Sequence, residues 1–126
     1  MKYEEFIKHV GQNGGPSDQV QADAVTRTVL SDLGRRLQDD EAEDLASQLP
    51  QELKELVTVR SNEMQTTDDV DDFTRRVADH LGVGVGPDQA RRYIQGVLRT
   101  VRTAVSDGQV KHLRAQLPAG FGPLFE

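Results

Sequence analysis

The segment Leu45-Ala46-Ser47-Gln48-Leu49-Pro50-Gln51-Glu52-Leu53 returns 68 residues later as Leu113-Arg114-Ala115-Gln116-Leu117-Pro118-Ala119-Gly120-Phe121. The apolar frame and the central Gln-Leu-Pro triplet are kept while the residues between them change. The match extends outward: Leu30, Leu37 and Leu56 stand 68 positions before Leu98, Val105 and Leu124. A spacing held across so many apolar positions points to two similar helical units.

The first unit opens with Phe6-Ile7-Lys8-His9-Val10 and the second with Phe73-Thr74-Arg75-Arg76-Val77, here at an offset of 67. A first helix is expected over about 2–11, stopping at Gly11, and Gly14-Gly15-Pro16-Ser17 reads as the turn into a long second helix. In that helix Ala22, Val25, Val29, Leu33 and Leu37 recur at helical spacing, and Ala90, Ile94, Val97, Val101 and Val105 do the same in a sixth. Stops follow at Gln38-Asp39-Asp40 and Ser106-Asp107-Gly108, where Asp39 and Asp107 align as candidate caps for the next short helix. Each triplet then turns a corner. Proline disfavours helix at the residue before it and suits the first turn of the helix after it. Gln48 and Gln116 are placed to cover backbone groups left open there, and a polar site built from the two glutamines is the functional counterpart of that reading. Gly34, inside the second helix, marks an expected close helix crossing. Asp68-Asp69 is expected to start the fifth helix, with Val70, Phe73, Val77 and Leu81 on one face, and Pro87 to start the sixth after the Gly82–Gly86 turn.

The paired long helix, the short helix and the twice-used Gln-Leu-Pro resemble domain of unknown function 2267, from Phe6 to Phe125. The resemblance implies an all-helical fold of two related halves and implies no activity. The second unit departs from the first in ending on Ala119-Gly120-Phe121-Gly122-Pro123-Leu124, so a short or irregular last helix is expected in place of one like Gln51 to Val57.

A chain of 126 residues fits one domain. The absence of Cys excludes disulfides, thiolate metal sites and Cys nucleophiles. No stretch approaches the ~20 apolar residues of a membrane span, and Met1-Lys2-Tyr3-Glu4-Glu5 is too acidic for a secretory signal, so a cytoplasmic location is expected. Net charge is −6, and all of it falls in residues 1–66, which carry 7 Lys and Arg against 13 Asp and Glu. The Arg-over-Lys and Asp-over-Glu bias is compatible with a salt-adapted or a GC-rich source.

The sharpest candidate surface is basic. Arg91, Arg92, Arg99 and Arg102 fall within an arc of about 100° on the sixth helix, clear of its apolar stripe. Such a face suits phosphates or an acidic partner, including the acidic first unit of the same or another copy. Nucleic acid is the weaker candidate, because the chain is acidic, lacks interleaved aromatics and carries no recognition motif. The acidic runs Asp39–Asp44 and Asp68–Asp72 sit where helices begin, where negative charge complements the helix dipole, and the loop spacing of a calcium site is absent. His9, His80 and His112 occupy no matching places in the two units and form no zinc-protease motif; no phosphate loop, dinucleotide fingerprint or nucleophile elbow occurs. Tyr93 replaces Val25 at the matching position, an asymmetry at the core or its edge.

The expectation is therefore an all-α single domain, 1–126: a tandem duplication of a four-helix unit, repeats about 3–58 and 70–126 joined by a polar junction about 60–67, packed with pseudo-twofold symmetry. The expected role is a non-enzymatic protein-interaction module that meets a protein partner or a second copy of itself, with no cofactor, no metal and no membrane. The alternative is a phosphate- or nucleic-acid-binding protein using Arg91, Arg92, Arg99 and Arg102. The corner motifs Gln48, Leu49, Pro50 and Gln116, Leu117, Pro118 are read as structural, and a ligand cleft between the units is a third possibility.

Overall fold

The computed structural model describes residues 1–61, 69–82 and 84–126. Asp68, expected to help start the fifth helix, residues 62–67 of the expected junction, and Val83 of the second turn lie outside the described residues. Among the described residues the fold is all-helical: α1 (Tyr3–Gln12), α2 (Gln19–Gly34), α3 (Asp39–Ser47), a 3-10 turn (Gln51–Leu53) running into α4 (Lys54–Thr58), α5 (Val70–Leu81), α6 (Pro87–Ala104), α7 (Asp107–Gln116) and a closing 3-10 segment (Ala119–Phe125).

Local chemistry sets the boundaries. Asp18 caps α2 by accepting from the amides of Val20 and Gln21, and Asp69 caps α5 by accepting from Asp72. Pro87 stands at the start of α6, where its missing N–H costs nothing. Gly82, at φ 96°, ends α5 in a conformation that favours glycine. Ser106, not Asp107, caps α7, accepting from the amide of Gln109, and Asp39 is likewise the first residue inside α3, not its cap. The reason is that a cap needs extended backbone, which Gln38 and Ser106 adopt. Helix α1 runs one residue beyond Gly11, and α2 ends at Gly34, so Leu37 packs from just outside the helix, its amide bonded to the Gly34 carbonyl. The Gly-rich ending is a 3-10 helix with Pro123 inside it, irregular as expected.

Both apolar stripes are buried along their length, as are all four phenylalanines, Phe6, Phe73, Phe121 and Phe125. Residues from before and after the junction join in one core cluster. Each fully buried Leu or Phe in it is worth about 1.5–3 kcal/mol relative to exposure. Helix α1 packs on both α2 and α6, and α5 packs on the same two. Helix α4 closes against α2 and α3, the last 3-10 segment closes against α6 and α7, and α3 meets α7. The elements are thus interleaved, each long helix being covered by first helices from both halves of the chain.

Two glycines fix the closest approaches. A Cβ on Gly34 would lie 2.7 Å from Val57 Cα and nearer still to its carbonyl oxygen, so α2 and α4 touch backbone to backbone, as expected of Gly34. A Cβ on Gly96 would lie 2.5 Å from Gly15 N, which presses α6 onto the loop after α1. At Gly108, by contrast, a Cβ would meet nothing within 4 Å. Gly34→Ala and Gly96→Ala are each expected to lower stability by about 1–3 kcal/mol through overpacking, whereas Gly108→Ala raises it by up to ~1 kcal/mol through helix propensity; urea unfolding of the three variants gives the signs directly.

Candidate functional site

The glutamines of the two corners act across the molecule. Gln48 Oε1 accepts from the amide of Ser106 at 2.7 Å, and Gln116 Oε1 accepts from the amide of Gln38 at 3.4 Å. Each glutamine thereby serves the residue that precedes a short helix in the other half, not its own corner. Between them Gln109 Nε2 donates to Glu41 Oε1 at 2.6 Å, and Gln48 Nε2 reaches Gln109 Oε1 at 3.4 Å. Leu49, Leu117 and Pro50 are buried and Pro118 is half-buried, while Gln48 is half-buried and Gln116 exposed. Burial raises the Glu41 carboxyl above the ordinary carboxylate value; Asp44 adds to the rise, while His112 and the bond from Gln109 oppose it.

A second polar cluster lies where α2 faces α5. Asp32 is nearly buried and accepts from Arg36 Nη1 at 2.8 Å, from Arg35 Nη1 at 3.3 Å and from Arg76 Nε at 3.4 Å. Arg36, whose side chain is 6 % exposed, lays its guanidinium over the rings of Phe73 and Phe121, 4.7 and 5.6 Å from their centroids. Those two rings pack against each other at 5.1 Å. Stacking on ring faces is favourable for a planar cation.

Beside this cluster opens a cleft of ≈590 Å³ between α2, α4 and α5. Arg27, Arg35, Arg60 and Arg76 line it together with Ser31 and Asp32; Thr28, Leu56, Val77, Asp79 and His80 complete the wall. Arg27 is anchored from behind by Asp23, 2.9 Å away, which also receives the Tyr3 hydroxyl. The bond to Asp23 holds Arg27 more firmly charged than usual, and burial, then the bond to Asp23, push the Tyr3 phenol up. Helical spacing in the sequence does put Arg35 and Arg36 within reach of Asp32. The third arginine, Arg76, comes from 44 residues away, and only the packing of α5 on α2 delivers it.

The α6 arginines divide. Arg99 turns inward: its Nη1 donates to the Asn13 carbonyl at 3.0 Å and its Nε to the Glu126 carbonyl. Arg92 and Arg102 are exposed and Arg91 is half-buried, and among the described residues none of the three has a carboxylate within 4.0 Å. Within one molecule, then, no α6 arginine pairs with an acidic side chain among the described residues of the first half. The acidic runs occupy first turns, Asp39, Asp40 and Glu41 in α3 and Asp71 and Asp72 in α5. Among the described residues no group of three His, Asp or Glu side chains is arranged to hold a metal, and no helix is long and apolar enough to cross a membrane. Tyr93 sits at the core edge, its hydroxyl accepting from Gln89 Nε2 at 2.7 Å.

The sequence profile of the family described as Uncharacterized conserved protein (DUF2267) matches residues 3–124. No curated protein matches the chain.

Asp32→Ala removes the carboxylate shared by three guanidiniums and is expected to cost about 3 kcal/mol or more, whereas Asp72→Ala, which breaks the exposed Arg75 pair, costs less than about 1 kcal/mol. Chemical denaturation of both separates the cases. For Glu41 the folded value lies above the unfolded one, so the native state binds the proton more tightly and this group's contribution falls as pH rises through that window. Glu41→Gln is therefore expected to stabilise at pH 7, with the gain fading as pH drops below the ordinary carboxylate range. Unfolding midpoints measured across that range check the sign.

Proposed function

The chain belongs to the family of uncharacterized conserved proteins DUF2267, and we propose that it is a non-enzymatic interaction module of the cytoplasm, made of two tandem copies of a four-helix unit related by a pseudo-twofold axis. Reciprocal contacts support the duplication. Gln48 and Gln116 are 68 residues apart, as are their targets Ser106 and Gln38, so one bond is the image of the other. Glu41 and Gln109 are also 68 apart and bond to each other, as a position on a twofold axis meets its own image. Helices α1 and α5 each cover both long helices, which fits the same symmetry.

The observation that carries the interaction role is the row Arg91, Arg92 and Arg102. It lies along α6, with no carboxylate within 4.0 Å among the described residues, on a protein of net charge −6. Its partner is a protein surface rich in Asp and Glu, and the exposed carboxylates Asp39, Asp40, Glu43 and Asp44 of a second copy offer one. Arg99 supports the row by tying α6 to Asn13 and Glu126. The same three guanidiniums also favour a second reading, a phosphate backbone as partner.

Triple substitution Arg91→Glu, Arg92→Glu, Arg102→Glu tests the role on the whole protein. The wild type is expected to bind a labelled poly-glutamate peptide, or itself in sedimentation, at low salt and to weaken as salt rises. The triple variant is expected to lose at least about tenfold, roughly 1.4 kcal/mol. Equal behaviour of the two proteins sinks the proposal, and tighter binding to a single-stranded oligonucleotide than to the peptide moves it to the second reading.

A further inference from the structure

Helices α3 and α7 pack on each other and are joined by the Glu41–Gln109 bond. Their inner sides are alike. Ala42 and Leu45 of α3 stand 68 positions before Val110 and Leu113 of α7, and all four are buried. Their outer sides differ. Asp40, Glu43 and Asp44 are exposed on α3, where α7 carries Gly108, Lys111 and His112, also exposed. Asp39 and Asp107 match, so they cancel from the comparison. Apart from that matched pair, one outer side is acidic and its neighbour is basic.

These charges are not used within the molecule. Among the described residues none of Asp40, Glu43, Asp44, Lys111 and His112 has an ion-pair partner within 4.0 Å. Asp44 and His112 both lie near the line of contact, because both act on the Glu41 carboxyl, in opposite senses. A Cβ on Gly108 would meet nothing within 4 Å, so that point of the face is open.

A helix pair with opposite charge on its two halves is complementary to itself. A second copy can be turned over onto it about a twofold axis in two ways. One lays α3 on α3 and α7 on α7, like charge on like. The other lays each α3 on the α7 of the other copy, and Coulomb attraction selects it. The contact is then isologous: every attraction is made twice and the assembly closes at two copies.

We infer that the α3–α7 face is a docking surface for a second copy of this chain, in which Asp40, Glu43 and Asp44 of each copy meet Lys111 and His112 of the other. The inference rests on the interaction reading above and deepens it by giving the second copy its own surface. Carboxylates only accept, an ammonium only donates, and an imidazole donates an N–H in either charge state. Donors therefore face acceptors across the contact. Exposed pairs are individually weak and screened by salt, so the dimer forms at low salt and high protein concentration.

Reversing the α6 row adds negative charge to each copy and weakens self-association in any geometry, so the test uses α3 and α7. Sedimentation equilibrium of the full chain is run up to ~1 mM protein, at ~10 mM salt, where charges act over about 30 Å, and at ~1 M, where they act over about 3 Å. A monomer–dimer equilibrium is expected at low salt and its loss at high salt. Lys111→Glu is expected to weaken it at least about tenfold, ~1.4 kcal/mol. Lys8→Glu, the same charge change on α1, leaves it within about twofold. Lys111→Glu with His112→Asp gives one variant and Glu43→Lys with Asp44→Lys another. Each alone is monomeric, and an equal mixture forms a one-to-one dimer, because both contacts are again acid on base. Every substituted side chain is exposed, and pairing in the mixture requires both variants to be folded. A monomer throughout overturns the inference, as do a dimer that persists at high salt, assemblies larger than two, or equal effects of Lys111→Glu and Lys8→Glu. So does equal rescue by Glu4→Lys with Glu5→Lys, which reverses the same charges on α1. Poly-glutamate binding reads the α6 row separately, so that reading and this one fail independently.

Discussion

A guanidinium buried against two phenyl rings cannot be left without its carboxylate, because neither the rings nor the core can replace the solvation it lost. Arg36, just past the end of α2, is in that position, between Asp32 in the last turn of that helix and Phe73 and Phe121 from the second half of the chain. One ion pair therefore fixes the rotation of α2, the seat of α5 and the placement of the closing 3-10 segment together. Arg76 reaches the same carboxylate from α5. The pairing specifies geometry more than it adds stability, since a buried pair regains little beyond what desolvation costs.

Around that constraint the packing is tight in two places and open in one. Gly34 and Gly96 remove the side chains that would hold backbones apart, so α2 meets α4 and α6 meets the Gly15 loop at contact distance. Where α2 meets α5 no glycine takes that part, and charged side chains stand in the gap. The polar groups near the short helices follow a different logic. Gln48, Gln116 and the Glu41–Gln109 pair satisfy backbone and side-chain groups across the α3–α7 contact, so hydrogen bonds join the two short helices.

Much of the fold was legible from spacing. The stripes through Ala22–Leu37 and Ala90–Val105 are buried, the prolines turn the corners, Gly34 marks a crossing and the last segment is irregular. These features are local, or depend only on which face of a helix is apolar. Arg99 shows where that reasoning stops. Its spacing puts it in a row with Arg91, Arg92 and Arg102, yet it reaches backbone carbonyls 86 and 27 residues away. Angular position on one helix does not say what other element lies over it.

Helical class, boundaries near caps and prolines, and the identity of the core thus come from the order of residues, because periodicity and backbone preference act over a few positions. The interleaving of the first helices over both long helices was decided by tertiary packing. So were the delivery of Arg76 to Asp32, the exchange of glutamine bonds and the opening of one seam. The Arg76–Asp32, Gln48–Ser106 and Asn13–Thr100 bonds join residues separated by 44, 58 and 87 positions, and such contacts depend on the depth and rotation at which helices settle, which no local spacing records.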